Sequence, residues 1–232
     1  MRTILLASLA MWAGLSGTVL AQSQPAVVVE LFTSQGCSSC PPADDYLADI
    51  ANRDDVIALA LHVDYWDYIG WKDTFASPAF TQRQHSYAQA AKARSVYTPQ
   101  IVVGGVDHVI GNGPSEVAAL ICSHMALDSP VSVSMIRSGG MVSITAETAE
   151  ALPEGAVVQL VHFLPDSTVQ IKRGENAGRS ITYHNIVTAI DQVGNWDGTG
   201  VFHAKVKAAE GALVVIVQSP GMGPILAAAR LR

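Results

Sequence analysis

The feature that most constrains this chain is the placement of Cys37 and Cys40. They stand in the string GCSSCPP, directly after the apolar run PAVVVELF and directly before PPADDYLADIANR. The first run is β-branched and of strand length. In the second, Pro41 and Pro42 occupy a first helical turn where no free N–H is needed, and Asp44 and Asp45 suit the positive end of the helix dipole. Tyr46, Leu47 and Ile50 then recur at helical spacing. The continuous apolar run VIALALHV follows and reads as a strand buried on both faces. Strand, helix and strand of these lengths make a right-handed crossover unit with the cysteines at the start of its helix.

That position carries chemistry. A thiol at a helix N-terminus faces unpaired backbone N–H groups and the positive end of the macrodipole, which lower its pKa below the free value of about 8.5. Cys37 is therefore the expected attacking thiol. Ser38 and Ser39 let Cys40 fold back and resolve a mixed disulfide. A CxxC pair is also half of a zinc site, but the chain has no second CxxC and no CxxC with an HxxxH partner. An inert structural disulfide is the competing reading of the spacing. With only three cysteines, the third being Cys122, the chain is no disulfide-stapled scaffold.

Downstream, DYWDYIGWK over residues 64–72 is aromatic and acidic, and Ser77-Pro78 opens a predicted helix, PAFTQRQHSYAQAAKAR. QIVV, Gly104-Gly105 and DHVIG read as a hairpin, and residues 114–127 as a further helix containing Cys122. After Ser129-Pro130 the pattern changes to seven short strands: VSVSMI, MVSITAE, AVVQLVHFL, TVQIK, SITYHNIVTAI, VFHAKVK and ALVVIVQ. Such spacing fits an antiparallel sandwich or a small barrel. The expected organisation is a leader over residues 1–21, an α/β unit over 22–128 and a β-rich unit over 129–232.

The leader is read from MRTILLASLAMWAGLSGTVLAQ, where Arg2 precedes an apolar stretch ending in small residues, with cleavage expected after Ala21. A membrane anchor is the weaker reading, because no charged stop-transfer flank follows. The expected location is periplasmic or secreted, with no membrane association after cleavage. Disulfides form and persist in such compartments. A net charge of −6 supplies no basic patch for nucleic acid or anionic lipid.

Strand VVVELF, CSSC at a helix start, strand VIALALHV, Thr98-Pro99 leading into QIVV, the hairpin and the last helix resemble, in order, the thioredoxin fold over residues 26–127. The resemblance implies a cis bond before Pro99, with Thr98 and Pro99 lining a substrate groove beside the CxxC, and Ser38 and Ser39 facing the same substrate. It also implies that Glu30, near the end of the first strand, is a buried acid beneath the disulfide that shuttles the proton of the resolving thiol; a solvated strand-end carboxylate is the alternative. More closely, ELFTSQGCSSCPPAD, HVDYWDYIGWKDTFASPAFTQRQ and RGENAGR resemble an exported bacterial thioredoxin-like family of unknown function, over nearly the whole chain. Gly36 in place of the usual aromatic, Ser38-Ser39 in place of Gly-Pro, and a proline after Cys40 depart from ordinary thioredoxin and leave the direction of electron flow open.

Of the remaining candidates, His62, Asp64, Tyr65, Trp66, Asp67 and Trp71 lie at the carboxyl end of the predicted sheet, where open α/β folds place ligands. For Trp71 packing against the second unit is the preferred reading, while His62 and Asp64 are left between cleft and core. His85 and Cys122 are read as packing residues. Arg173, Glu175, Asn176 and Arg179 cluster in IKRGENAGRS, and paired arginines there fit either a bound carboxylate or, as the preferred reading, salt bridges between the units. His162, Tyr183, His184 and Trp196 show no metal spacing.

The expected activity is thiol–disulfide exchange with protein thiols or disulfides as substrate, a redox partner protein and no organic cofactor. Two alternatives from other classes stand beside it. One is a Cu(I)-holding protein using Cys37 and Cys40 as thiolates, alone or with His62. The other is a binding module with an inert disulfide and the aromatic loop at 65–71 as its contact surface.

Overall fold

The computed structural model describes residues 19–22 and 26–231. Most of the leader reading therefore lies outside the described residues. Of it only Val19–Ala21 is described, within strand β1 (Val19–Gln22). No helix among the described residues is long and apolar enough to cross a membrane.

The first half follows the alternation of its apolar runs. Strand β2 (Val27–Thr33) leads through the cysteine turn into helix α1 (Pro41–Ile50) and back into β3 (Val56–His62), which lies parallel to β2 with Thr33 opposite His62. Both strands are buried along their whole length because each face is covered. Val27, Val29 and Leu31 meet Ala43 and Leu47 of α1 and Ile121 of α3 (Pro114–Met125). Val28 and Phe32 face the other way, toward Phe80 and Tyr87 of α2 (Pro78–Ala90). Fully burying a side chain such as Phe32 contributes roughly 2 kcal/mol.

Helix α2 stops at Ala90, short of the predicted end at Arg94. Lys92 takes a left-handed conformation (φ 54°), and the Ala93 N–H returns to the Ala88 carbonyl, which satisfies the last turn without a glycine. Strand β4 (Gln100–Val103) runs antiparallel to β2 and forms a hairpin with β5 (Asp107–Ile110), turning at Gly104 and Gly105 with φ of 60° and 81°.

The second half comprises β6 (Val131–Ser138), β7 (Met141–Thr148), β8 (Ala156–Gln170), β9 (Ser180–Trp196), β10 (Val201–Lys207), β11 (Ala212–Gln218) and β12 (Ile225–Leu231). A four-stranded sheet has the order β1-β6-β7-β10, and an eight-stranded sheet the order β12-β11-β8-β9-β3-β2-β4-β5. The β-rich half is thus sandwich-like but not free-standing. One layer is the small sheet, and the other continues into the strands of the first half. The join is the parallel pair Ala60–Ile186, reinforced by Asn185 Nδ2 donating to the Ala58 carbonyl at 2.9 Å. Val133, Met135 and Ile144 pack on Leu160, Val215 and Val217 in the sandwich core. Val214 and Ile216, alternating with these, join the core of the first half instead.

Two strands differ from the sequence reading. AVVQLVHFL and TVQIK form one strand through Pro165, which is tolerated because the pairing with β11 ends at Phe163 and leaves that edge open. Ile225–Leu231 is a strand although alanine-rich, held as the outer neighbour of β11. Both long strands β8 and β9 run on beyond the sheet proper, so their connecting hairpin reaches the cysteine turn.

Candidate active site

Cys37 and Cys40 form a disulfide with an S–S distance of 2.10 Å, and both residues are fully buried, whereas Ser38 and Ser39 between them are exposed. Cys40 caps α1. Its carbonyl accepts the N–H groups of Ala43 and Asp44 at 2.8 and 3.1 Å, so the helix starts at the second sulfur. The turn before it closes through the Cys37 N–H on the Ser34 carbonyl and the Gly36 N–H on Ser34 Oγ, both at 3.1 Å. Gly36 sits in close packing, since a Cβ there would lie 3.1 Å from Ile69 Cδ1 and from Trp66 Cβ, tighter than ordinary contact.

One helical turn after Cys40, Asp44 points inward and is 4% exposed. Burial raises its pKa to about 7; His62 and the Thr33 hydroxyl oppose the rise, while Asp73 and Asp45 add to it. Thr33 is near enough to act on the carboxyl but not in hydrogen-bond geometry. Neither Asp44 oxygen, nor Thr33 Oγ1, nor His62 Nε2 has a hydrogen-bond partner, although all are buried. Buried polar groups without a partner in the protein are rare, and four such atoms on three neighbouring side chains make this polar cluster a candidate for a chemical role. Thr33 and His62 end adjacent strands in register, and α1 lays Asp44 over them.

His62 is held from its other side. Its Nδ1 lies 2.8 Å from Asp73 Oδ2, which also accepts the Gln35 N–H at 2.7 Å, while Asp73 Oδ1 accepts the Phe75 N–H at 2.8 Å. Burial pushes the Asp73 pKa up, but His62 and the two N–H groups outweigh it, and the net shift is downward. The rings of Phe75 and Tyr183 close edge-on against His62, at 5.3 and 4.8 Å between centroids. Trp71 Nε1 donates to Gln35 Oε1 at 2.8 Å, tying the aromatic segment to the residue two before Cys37.

The tip of the β8–β9 hairpin closes over the same turn. Asn176, 2% exposed in an otherwise exposed loop, donates Nδ2 to the carbonyls of Gln35 and Cys37 at 3.0 and 2.9 Å. Arg179 donates to its Oδ1 at 3.2 Å. The Ser38 N–H reaches Glu175 Oε2 at 3.4 Å. On the opposite side the Thr98–Pro99 bond is cis, and Thr98 Oγ1 accepts Trp66 Nε1 at 2.7 Å. A Cβ on Gly111 would come within 2.9 Å of both Ala43 Cβ and Pro99 Cβ, which places Pro99 against the first turn of α1.

A family model spans residues 28–218, a stretch that contains this whole constellation. The chain belongs to the family described as Protein of unknown function (DUF1223). A crystal structure of a protein from Agrobacterium tumefaciens is similar to this DUF1223 chain at 34% identity and a TM-score of 0.77, covering 90% of this chain and 96% of that one. The structure of HBP35 of Porphyromonas gingivalis matches at 17% identity and a TM-score of 0.65, covering 90% of this chain and 75% of that one; the likeness is one of fold alone. No curated protein matches.

Of the residues singled out from the DUF1223 sequence, Cys37, Cys40, Ser38, Ser39, Thr98 and Pro99 come together around the start of α1. Glu30 does not. It shares the sheet face of Val28 and Phe32, opposite α1, where Arg83 grips both its oxygens at 2.7 and 3.1 Å and Tyr87 donates to it. Asp64 is bound by Thr81 Oγ1 at 2.6 Å. His62 is a buried histidine anchored by Asp73, not brought with the cysteines into a metal-holding group; among the described residues no cluster of three or more His, Cys, Asp or Glu side chains is placed to hold an ion. Sequence and structure differ at three places: Asp44, which suits the helix dipole by its position, is buried; Asp73, not singled out in the sequence, anchors His62; and in the RGENAGR turn it is the Asn176 amide that contacts the cysteine turn.

Proposed function

We propose that this protein is an exported thiol–disulfide oxidoreductase built on a thioredoxin-like arrangement of β2, α1, β3, β4, β5 and α3. The observation that carries the reading is a Cys37–Cys40 disulfide at the N-terminus of α1 with a buried, protonatable carboxyl one turn further along the same helix. A disulfide serving only as a staple has no use for that carboxyl.

In the reducing direction, the Cys37 thiolate attacks a substrate disulfide. A Cys37–substrate S–S bond forms as the substrate bond breaks, and one substrate thiolate leaves. Cys40 then gives its proton to ionised Asp44 and attacks Cys37 Sγ. The Cys37–Cys40 bond forms, the mixed disulfide breaks and the second substrate thiolate departs. Substrate is reduced and the protein oxidised; the reverse sequence oxidises a dithiol. A carboxyl with a pKa near 7 is matched to taking and returning a proton at neutral pH. Thr98, Pro99, Ser38 and Ser39 would border the substrate segment.

The test is trapping. Reduced Cys40→Ser protein mixed with glutathione disulfide is expected to accumulate one glutathione on Cys37, found by peptide mass. Modification of Cys122 alone, with Cys37 untouched, would refute the reading.

A further inference from the structure

The β8–β9 hairpin belongs to the second half of the chain, yet its tip touches the redox turn at three backbone positions. Asn176 spends both amide hydrogens on the carbonyls of Gln35 and Cys37. Its oxygen faces Arg179, which can only donate, so the orientation of the amide is determined. An asparagine with every hydrogen bond satisfied and 2% exposure, within a turn whose neighbours are exposed, is a built contact. Glu175 places a carboxylate oxygen 3.4 Å from the Ser38 N–H, within the turn between the two cysteines.

These two neighbours act on Cys37 with opposite sign. Amide hydrogens on the carbonyls of Gln35 and Cys37 offset the negative ends of the dipoles nearest the attacking sulfur, which favours a thiolate. The Glu175 carboxylate adds negative charge beside the same turn and takes up its Ser38 N–H donor, which disfavours it. We propose that the hairpin tip is the second half of the redox site, with Asn176 a positioning residue that promotes the Cys37 thiolate and Glu175 a counterweight that restrains it. The proposal rests on the thiol–disulfide reading and gives the β-rich half its role: it sets the reactivity of a nucleophile held by the other half. The other titratable and charged side chains on the elements around the turn are Arg179 and Arg173 on the hairpin, Asp44 and Asp45 on α1, His62 on β3 and Asp73 in the segment after it.

The test is the pH dependence of iodoacetamide alkylation at Cys37 in the reduced full chain, resolved from Cys122 by peptide mass. Asn176→Leu keeps the approximate volume, loses both donors and adds no charge, and is expected to raise the midpoint by about one unit and slow alkylation near pH 7 roughly tenfold. Glu175→Gln, a change at an exposed residue that leaves folding intact, is expected to lower the midpoint and to lose that effect in 1 M salt, where screening acts within about 3 Å. A purely structural clamp would lower stability in Asn176→Leu and leave both midpoints where they were. Unchanged midpoints in both variants, or shifts of the same sign, overturn the proposal. Normal alkylation shifts in a protein that never forms a mixed disulfide with glutathione would sink the exchange reading and leave the hairpin effect standing.

Discussion

Asp73 Oδ2 accepts at once from the Gln35 backbone N–H at 2.7 Å and, at 2.8 Å, faces His62 Nδ1, so one carboxylate oxygen joins the end of β3 to the turn that presents Cys37. Removing it exposes the consequence of holding a buried anion by donors alone. Asp73→Ala leaves two N–H groups and the imidazole without their acceptor and is expected to lower unfolding stability by about 3 kcal/mol or more, measured by urea unfolding of the oxidised protein. The pH dependence has a definite sign. The folded pKa of Asp73 lies below its ordinary value of 3.8, so its contribution is present above that value and is lost as pH falls through the folded pKa. Asp73→Asn should flatten the acid limb of the stability curve, and an unchanged limb would contradict the assignment.

Asp44 behaves in the opposite way. Its folded pKa of about 7 lies above the ordinary 3.8, so the protonated form stabilises the fold below pH 3.8 and that contribution fades as pH rises through 7. Ionised at pH 9, the buried carboxylate costs roughly 4 kcal/mol. Asp44→Asn should therefore gain stability relative to the parent between pH 5 and 9, while resolution of the Cys37 mixed disulfide slows about tenfold or more. Equal stability profiles in the two proteins would show that Asp44 is not buried as described.

Glu30 separates the two faces of the sheet. Glu30→Gln leaves Arg83 buried without its counter-charge and is expected to cost about 3 kcal/mol in stability. Because the side chain faces α2 and not α1, the reduction potential of the cysteine pair should move by less than about 10 mV. A larger change would restore Glu30 to the redox site.

Gly111 tests the packing of Pro99. Gly111→Ala sets a methyl 2.9 Å from both Ala43 and Pro99, inside contact distance, and is expected to cost about 1–3 kcal/mol as Pro99 is pushed from α1. Exchange with a peptide disulfide should weaken more than exchange with glutathione, which needs less of the groove. Equal effects on both would argue against a groove at Pro99.

The sequence was most legible where local pattern and burial agree. VVVELF and VIALALHV are continuous apolar runs because both their faces are covered, and Pro41, Pro78 and Pro114 each open a helix where the chain says one should begin. It was least legible where the outcome depends on a distant partner. Asp44 reads as a first-turn carboxylate from its neighbours, and only α1 packing across Thr33 and His62 makes it buried. The pairing of Ala60 with Ile186 joins residues far apart in the chain, and no turn signal announces it. The alanines of Ile225–Leu231 become a strand because β11 offers an edge. In RGENAGR the arginines draw the eye, but the residue that reaches Cys37 is the amide between them.

The most direct test of the central claim is the equilibrium reduction potential of the Cys37–Cys40 pair in glutathione buffers, read by alkylation and mass. The account predicts reversible exchange with a value between about −270 and −120 mV. A value below about −300 mV would mark the bond as a structural staple and contradict it.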